Sequence, residues 1–183
     1  MTGADAFFTL DTAAFLAGAL ARTLWMTALG CTLGFLIGAT LALLRRTRGR
    51  LLAPARLLAG LYVEAFRRLP FLVILILVLF SVQAVAPGLS LLGIATIAVT
   101  LAATAYLSEI IRAGLEAVPR PQVEGAEVLG LSALDRLRFV VLPQAWGVIL
   151  PPAAAFMVMF VKDTALASHL GVVELAFAGK ILV

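Results

Sequence analysis

The sequence lacks most of the residues that metal, redox or nucleotide chemistry would need. Its single cysteine, Cys31, lies in an apolar run, which excludes an internal disulfide and argues against a cysteine-based zinc site. A single histidine, His169, argues against a histidine-rich metal site. No Gly-x-x-x-x-Gly-Lys-Ser/Thr pattern occurs, so the chain offers no loop of this kind to cradle ATP phosphates. The first 21 residues carry Asp5 and Asp11 but no basic residue, so we expect no cleavable signal peptide.

Charge is also scarce, at 13% of the residues, whereas 63% are hydrophobic. Soluble domains are nearer ~45–50% apolar, so the composition indicates a membrane protein. Eleven of the 14 basic residues are arginines in two segments, 45–68 and 112–138. These arginines flank apolar runs and do not belong to a soluble domain. This argues against nucleic-acid binding despite the net charge of +4. We expect both segments to lie in the cytoplasm, because basic residues stay on that side.

Three long uncharged runs, which provide four spans, predict an all-α polytopic protein with one membrane domain, 1–183. A run of 22 residues at ~1.5 Å per residue covers ~33 Å, enough to cross a bilayer core. A Pro87-Gly88 turn divides the longest run into two spans joined by an external loop. Residues 164–183 look like a partly inserted external segment, and the N-terminus is expected outside. The predicted spans are about 23–44, 71–86, 89–108 and 139–161.

Three local patterns lie in or beside these spans. Gly30, Gly34 and Gly38 recur every four residues, which favours either a close helix–helix seam or glycines of no special role. Residues 54–66 are amphipathic, with Leu57, Leu58, Leu61 and Tyr62 on one stripe, and predict an interfacial helix. Pro151-Pro152 should kink or break the fourth span.

The polar segment between the third and fourth spans, about 112–138, predicts two helices joined at a glycine. Residues 116–129 have a helical pattern, with prolines near the start, where they are tolerated. Gly130 can end that helix in the left-handed conformation. Ser132 then begins a second helix, with Asp135 in a position like that of a capping box. The result is a helix–glycine–helix corner that projects from the membrane.

Residues 124–143, EGAEVLGLSALDRLRFVVLP, resemble the EAA signature of ABC-transporter permease subunits. Three further blocks resemble the permeases for polar amino acids. They are YVEAFRRLP at 62–70, AYLSEIIRAG at 105–114, and LPQA at 142–145 followed by PP at 151–152, KDTAL at 162–166 and GVVEL at 171–175. The blocks occur in the family's order over about 62–179, which makes the resemblance far more specific than any single block.

The resemblance implies a type I ABC importer permease-like helical bundle that moves polar amino acids or related small solutes. Such a subunit has no catalytic residues and holds no cofactor, because ATP and Mg are bound by separate ABC ATPase subunits. Its other partners are a second permease subunit, identical or different, an external solute-binding protein and the lipid bilayer. The implied location is the bacterial inner membrane, crossed several times.

The resemblance also assigns site residues. Coupling to the ATPase subunit is expected at Glu124, Gly125, Ala126, Gly130, Leu142 and Pro143. From their charges alone, Glu109, Arg112, Lys162 and Asp163 are candidates for a gate or substrate path. The residues alone leave other interpretations open. The corner can be an ordinary solvated loop, Glu109 and Arg112 a simple boundary pair, and Lys162-Asp163 an anchor for the helix end. Gly125 replaces the signature's usual alanine and costs ~0.5–1 kcal/mol of helix stability.

Two alternative functions remain. Related permeases usually continue through a fifth span that is absent from this sequence, which favours a truncated, non-transporting or assembly subunit. An ion-driven secondary transporter would need ionisable residues deep in its spans. The predicted spans contain no charged residue, which argues against that class.

Overall fold

The computed structural model describes residues 9–47 and 49–182, and these residues are helical without any strand. The predicted all-α class is therefore confirmed. A π-helical segment, Arg136–Val141, joins the sixth and seventh helices, and a 3-10 helix, Thr164–Leu170, follows the seventh. The helices are α1 (Leu10–Arg46), α2 (Ala53–Arg68), α3 (Phe71–Val85), α4 (Leu91–Glu116), α5 (Arg120–Val128), the single turn α6 (Ala133–Asp135), α7 (Leu142–Asp163) and α8 (Leu175–Leu182).

Three stretches of the described chain are long and apolar enough to cross a membrane: α1, α4, and the continuous stretch Ala133–Leu170 that includes α7. Helix α3 has 15 residues and spans ~22 Å, short of the ~30 Å hydrocarbon core. It reaches that length only together with α2, from which it turns by 118° at residues 69–70. We name this turn the elbow. The run predicted as the whole second span, 71–86, is thus one arm of a bent pair.

Helix α1 begins 13 residues before the predicted first span. Thr9 precedes it, and the Thr9 hydroxyl accepts a hydrogen bond from the Thr12 amide at 3.2 Å. Asp11 lies in the first turn, where an acidic side chain favours the positive end of the helix dipole. Charge counting placed the start at residue 23 because Arg22 interrupts the apolar run, but one arginine near the end of an apolar run does not stop a helix.

The glycines of α1 form a seam with α4, as one of the two interpretations predicted. A methyl group placed on Gly30 would bring its carbon 2.5 Å from Val99 Cγ1, and one on Gly38 would lie 2.9 Å from the Ser108 amide nitrogen. The residues of α4 that face these glycines advance in the same direction as the glycines themselves, so α1 and α4 run parallel. Small residues let the two backbones approach closely, which is how helices pack where no hydrophobic effect drives them together.

Helix α4 is the central element of the bundle, because it contacts α1, α2, α3 and α7. Helix α7 runs antiparallel to it, since Gly114 faces Ile149 and Tyr106 packs against Phe156 with 5.1 Å between ring centres. The predicted interruption at Pro151-Pro152 is not a break: α7 continues through both prolines, which lie on its exposed side. Membrane helices tolerate prolines whose freed carbonyls find other partners.

The amphipathic helix predicted over 54–66 exists as α2, and its leucine stripe lies on the side that does not pack against the bundle. Leu57, Leu58 and Leu61 are exposed, whereas Ala59 and Val63 are buried. The small side chains allow α2 to approach α4 closely. The leucines face away from the described bundle, as apolar residues do when lipid or another chain surrounds them.

Candidate functional site at the basic end of the bundle

The chain turns sharply between α5 and α6 at Gly130. This residue has φ +80°, as the sequence predicted. The Gly130 amide donates to the Glu127 carbonyl at 2.9 Å, and the Leu131 amide donates to the Ala126 carbonyl at 3.1 Å. This pair of bonds is the Schellman motif, which satisfies the last carbonyls of a helix through a left-handed residue. The corner is therefore a fixed turn with its backbone donors used.

Ser132 begins the second helix of the corner, also as predicted. Its hydroxyl accepts a hydrogen bond from the Asp135 amide at 3.2 Å and donates to the Asp135 carboxylate at 2.6 Å. Glu127 and Arg136 then form an ion pair at 3.1 Å that ties α5 to the π segment. Helix α5 is shorter than the predicted 116–129. It begins at Arg120 because α4 extends to Glu116 and Pro119 occupies the position before the next helix.

The predicted coupling residues of α5 divide into exposed and buried groups. Glu124 and Gly125 are exposed, and a methyl group on Gly125 or Gly130 would touch nothing within 4 Å. Ala126, in contrast, is buried. It therefore supports the corner, while the exposed residues are available to a partner.

Three large apolar residues on the corner were missed by the sequence analysis. Val128, Leu129 and Leu134 are 88%, 80% and 72% exposed, and we name them the apolar cap. Single exposed apolar residues are ordinary, but three within seven residues of a polar segment favour contact with a protein. The sequence does contain a signal that could have identified them, because large apolar residues are unexpected in a segment rich in charge.

Leu142 and Pro143, the remaining predicted coupling residues, lie where the π segment becomes α7. The Leu142 amide donates to the Leu137 carbonyl, five residues back, as in a π-helix. Pro143 has no amide hydrogen to donate. The Gln144 side chain donates from Nε2 to the Val140 carbonyl at 2.8 Å. The corner is thus continuous with α7 through a helical segment of altered register.

Glu109 is the centre of an ionic cluster at the same end of the bundle. Its carboxylate lies 3.0 Å from Arg45 of α1 and 3.9 Å from Arg67 of α2, and it also pairs with Arg112 one turn along α4. Arg112 contacts Glu116 as well, at 2.5 Å. Glu109 and Arg112 therefore do form the predicted boundary pair, but the pair also joins three helices.

The elbow is held by polar contacts from α4. The Tyr106 hydroxyl donates to the Arg67 carbonyl at 3.1 Å, and the Tyr62 hydroxyl donates to the Leu101 carbonyl at 2.7 Å. Arg67 lies in the last turn of α2, whose carbonyls have no partner within the helix. Tyr106 and Glu109, three residues apart on one face of α4, thus hold the backbone and the side chain of Arg67. We name these three residues the elbow clamp.

The structure separates the four residues predicted for a gate or substrate path. Glu109 and Arg112 lie at the basic end, whereas Lys162 and Asp163 end α7 at the opposite end. Within residues 9–47 and 49–182, neither Lys162 nor Asp163 forms an ion pair. The two groups therefore have no direct contact.

Comparisons with known proteins show the family to which the chain belongs. A family model described as "Binding-protein-dependent transport system inner membrane component" matches residues 33–180. The probable glutamine ABC transporter permease protein GlnP of Bacillus subtilis (strain 168) is 32% identical over 169 residues, which cover 92% of this chain and 76% of that protein. The L-cystine transport system permease protein TcyB of the same organism is 36% identical over 160 residues, 87% of this chain and 67% of that protein.

Two solved structures share the fold. A crystal structure of an amino acid ABC transporter has a TM-score of 0.84 at 30% identity and covers 94% of this chain and 79% of its own. An inward-facing structure of the MetNI methionine ABC transporter has a TM-score of 0.76 at 24% identity, and covers 90% of this chain and 78% of its own. At that identity the second likeness speaks for the fold alone.

Proposed function

Because the chain belongs to the family of inner membrane components of binding-protein-dependent transport systems, we propose that it moves polar amino acids or related small solutes through an ATP-driven importer. Two relatives are named for glutamine and cystine, and one structural neighbour is an amino acid transporter. The solute class follows from these relatives. The observation that carries the mechanism is the rigid corner with its exposed apolar cap.

The chain is a non-catalytic transmembrane subunit, so the energy of transport comes from another chain. In our proposal ATP and Mg are bound by two ABC ATPase subunits, a second permease subunit completes the pathway, and an external solute-binding protein delivers the solute. The assembly lies in a bacterial inner membrane, with residues 1–183 forming one membrane domain and the basic end in the cytoplasm.

The corner couples the ATPase to the spans. The apolar cap enters a groove of the ATPase subunit, and Glu124 lies beside it as a polar contact. The Schellman turn at Gly130 and the Glu127–Arg136 ion pair keep the corner rigid. Leu142 and Pro143 connect it to α7. Movement of the ATPase subunits is therefore passed on as rigid-body rotation, which is one of the standard switching motions of proteins.

The elbow clamp links α4, which leads into the corner, to the bent pair of helices α2 and α3. Tyr106 and Glu109 lie on α4, the helix that enters the corner, and they hold the end of α2. Movement of α4 is expected to shift the elbow and the arm that follows it. In this proposal Glu109 and Arg112 set the position of a gate at the cytoplasmic side, and Lys162 and Asp163 stand at the external mouth, where they can meet the charged groups of an amino acid.

The docking role is tested by changing the corner without changing the spans. Leu129→Ser removes an exposed apolar side chain whose burial against a partner is worth ~1.5–3 kcal/mol, so binding of the ATPase subunit should weaken by about tenfold or more. Leu51→Ser is the matched control, because Leu51 is 91% exposed and lies outside the corner. Co-purification with the ATPase subunits and solute-stimulated ATP hydrolysis in reconstituted vesicles are the measurements.

A second variant tests the turn itself. Gly130→Val has room for the side chain but places a β-branched residue at φ +80°, at a cost of ~1–2 kcal/mol. We expect ATP hydrolysis to become uncoupled from uptake while the membrane abundance stays normal. If Leu129→Ser, Gly130→Val and Glu124→Ala all retain wild-type coupling, the corner is an ordinary loop. Uptake driven by an ion gradient without the ATPase subunits would contradict the proposed function as a whole.

A further inference from the structure

Two neighbouring cavities lie at the end of the bundle opposite the corner. The first, of about 350 Å³, lies between α1, the start of α4 and the loop before α8. Phe15 and Arg22 are among the residues that line it. The second, of about 370 Å³, lies between α1 and the first half of α4, and contains Trp25 and Leu33. Leu92 lines both cavities, so they adjoin each other.

The α1 residues that line the two cavities share one face of the helix. Phe15, Arg22, Trp25, Leu29 and Leu33 fall within about 80° of each other around the helix axis at 100° per residue. Along the axis, Trp25 lies ~4.5 Å and Leu33 ~16 Å from Arg22. The face therefore presents a cation, an interfacial aromatic ring and aliphatic side chains in that order. A phospholipid presents a phosphate, a glycerol backbone and an acyl chain in the same order.

The guanidinium of Arg22 is suited to an anion. It is half-buried, and it donates from Nη1 to the Val173 carbonyl at 2.5 Å, which uses one of its five hydrogens. In the part of the chain that the structure describes, no carboxylate pairs with it. The nearby Glu174 carboxylate accepts instead from the Ala176 and Phe177 amides of its own helix. A guanidinium with free donors is a strong partner for a phosphate.

The second cavity lies beside exposed apolar side chains of α1. Five of its ten lining residues are leucine or isoleucine, and two lining residues of α1, Trp25 and Leu33, are exposed. Tryptophan is enriched at the level of the headgroups, which agrees with its place between Arg22 and the leucines. If the arginine-rich end lies in the cytoplasm, this groove lies in the outer leaflet.

We propose that this groove, defined by Arg22, Trp25, Leu29 and Leu33, binds an anionic phospholipid of the outer leaflet. Its phosphate meets Arg22 and one acyl chain lies along Leu29 and Leu33. An anionic headgroup is preferred because a zwitterionic headgroup carries a cation as well as a phosphate. That cation would lie next to Arg22, and among the described residues no carboxylate forms an ion pair with Arg22 that could offset the added charge. The site is independent of ATP hydrolysis, so its test does not depend on the proposed transport function.

The chain contains two tryptophans, Trp25 and Trp146, which allows a direct fluorescence test. Trp146→Phe leaves Trp25 as the only reporter. The protein is placed in phosphatidylcholine vesicles that contain an equal fraction of either brominated phosphatidylglycerol or brominated phosphatidylcholine. We expect the anionic lipid to quench Trp25 with about fivefold greater apparent affinity, the gain typical of one basic residue near an anionic lipid.

Variants of Arg22 decide the outcome. Arg22→Gln should remove the preference for the anionic lipid, Arg22→Lys should retain most of it, and Arg50→Gln, at the basic end, should leave it unchanged. The reciprocal protein, Trp25→Phe, reports on Trp146 at the basic end, and its quenching by the two lipids should not change when Arg22→Gln is added. Equal quenching by both lipids, or a preference that persists in Arg22→Gln, would overturn the proposal. Loss of the preference in excess inorganic phosphate would identify a free-anion site instead.

Discussion

Replacing Gly34 by alanine tests whether the parallel pair α1–α4 is held by close backbone contact. A methyl carbon at Gly34 would lie 2.6 Å from Ala103 Cβ, 2.9 Å from the Thr104 amide nitrogen and 3.0 Å from the Ala103 carbonyl carbon. Ordinary contacts begin at 3.4 Å. Two of these neighbours are backbone atoms in the middle of α4, so they cannot turn aside as a flexible side chain can. The two helices must separate.

The expected cost is that of overpacking a well-packed core, ~1–3 kcal/mol of unfolding free energy. A matched control is Gly147→Ala in α7, because Gly147 also lies inside an apolar helix but a methyl group there touches nothing within 4 Å. Alanine loses less backbone entropy than glycine, so this change should be neutral or stabilise the protein by up to ~1 kcal/mol. The two Gly→Ala changes should therefore have opposite signs.

The measurement is reversible unfolding of the purified protein in mixed micelles, followed by circular dichroism as the denaturing detergent is increased. Gly34→Ala should lower the unfolding free energy, and Gly147→Ala should not. Equal stability of Gly34→Ala and the wild type would show that the seam has room for a methyl group. A loss of the same size in both variants would mean that the packing at Gly34 has no special part in the stability.

Two further predictions follow from the topology and the clamp. In a Cys31→Ala background, an impermeant thiol reagent added to intact cells should label a cysteine at position Gly88 and not one at Gly49, because basic segments stay in the cytoplasm. The reverse pattern would invert the assigned orientation. Tyr106→Phe removes the hydroxyl that donates to the Arg67 carbonyl, a bond worth ~1 kcal/mol, so amide exchange at the elbow should speed up about fivefold. Unchanged exchange there, measured by mass spectrometry with the α1–α4 seam as the internal reference, would show that the clamp does not hold the elbow.

Several features were predictable because their causes are local. The left-handed Gly130 and the Ser132 cap depend on residues within five positions of each other. The glycine stripe offered a seam as one of two interpretations, because a four-residue repeat places small residues on one helix face. The predicted helix boundaries were wrong where a second local effect outweighed the hydrophobic pattern. Pro119 delayed the start of α5, and the segment before Pro143 adopted π geometry.

The family resemblance and the helix–glycine–helix corner were thus available from the sequence, since both depend on residue types at fixed short spacings. The sequence did not reveal that the blocks at 62–70 and 105–114 are one structural unit. Arg67 and Glu109 are 42 positions apart and meet only because α2 packs across α4 at the elbow. Likewise, the period of α2 identified an apolar stripe but not which face is buried, because that depends on the neighbouring helix. Only tertiary packing decides such contacts, since many arrangements of the same helices satisfy the local pattern equally well.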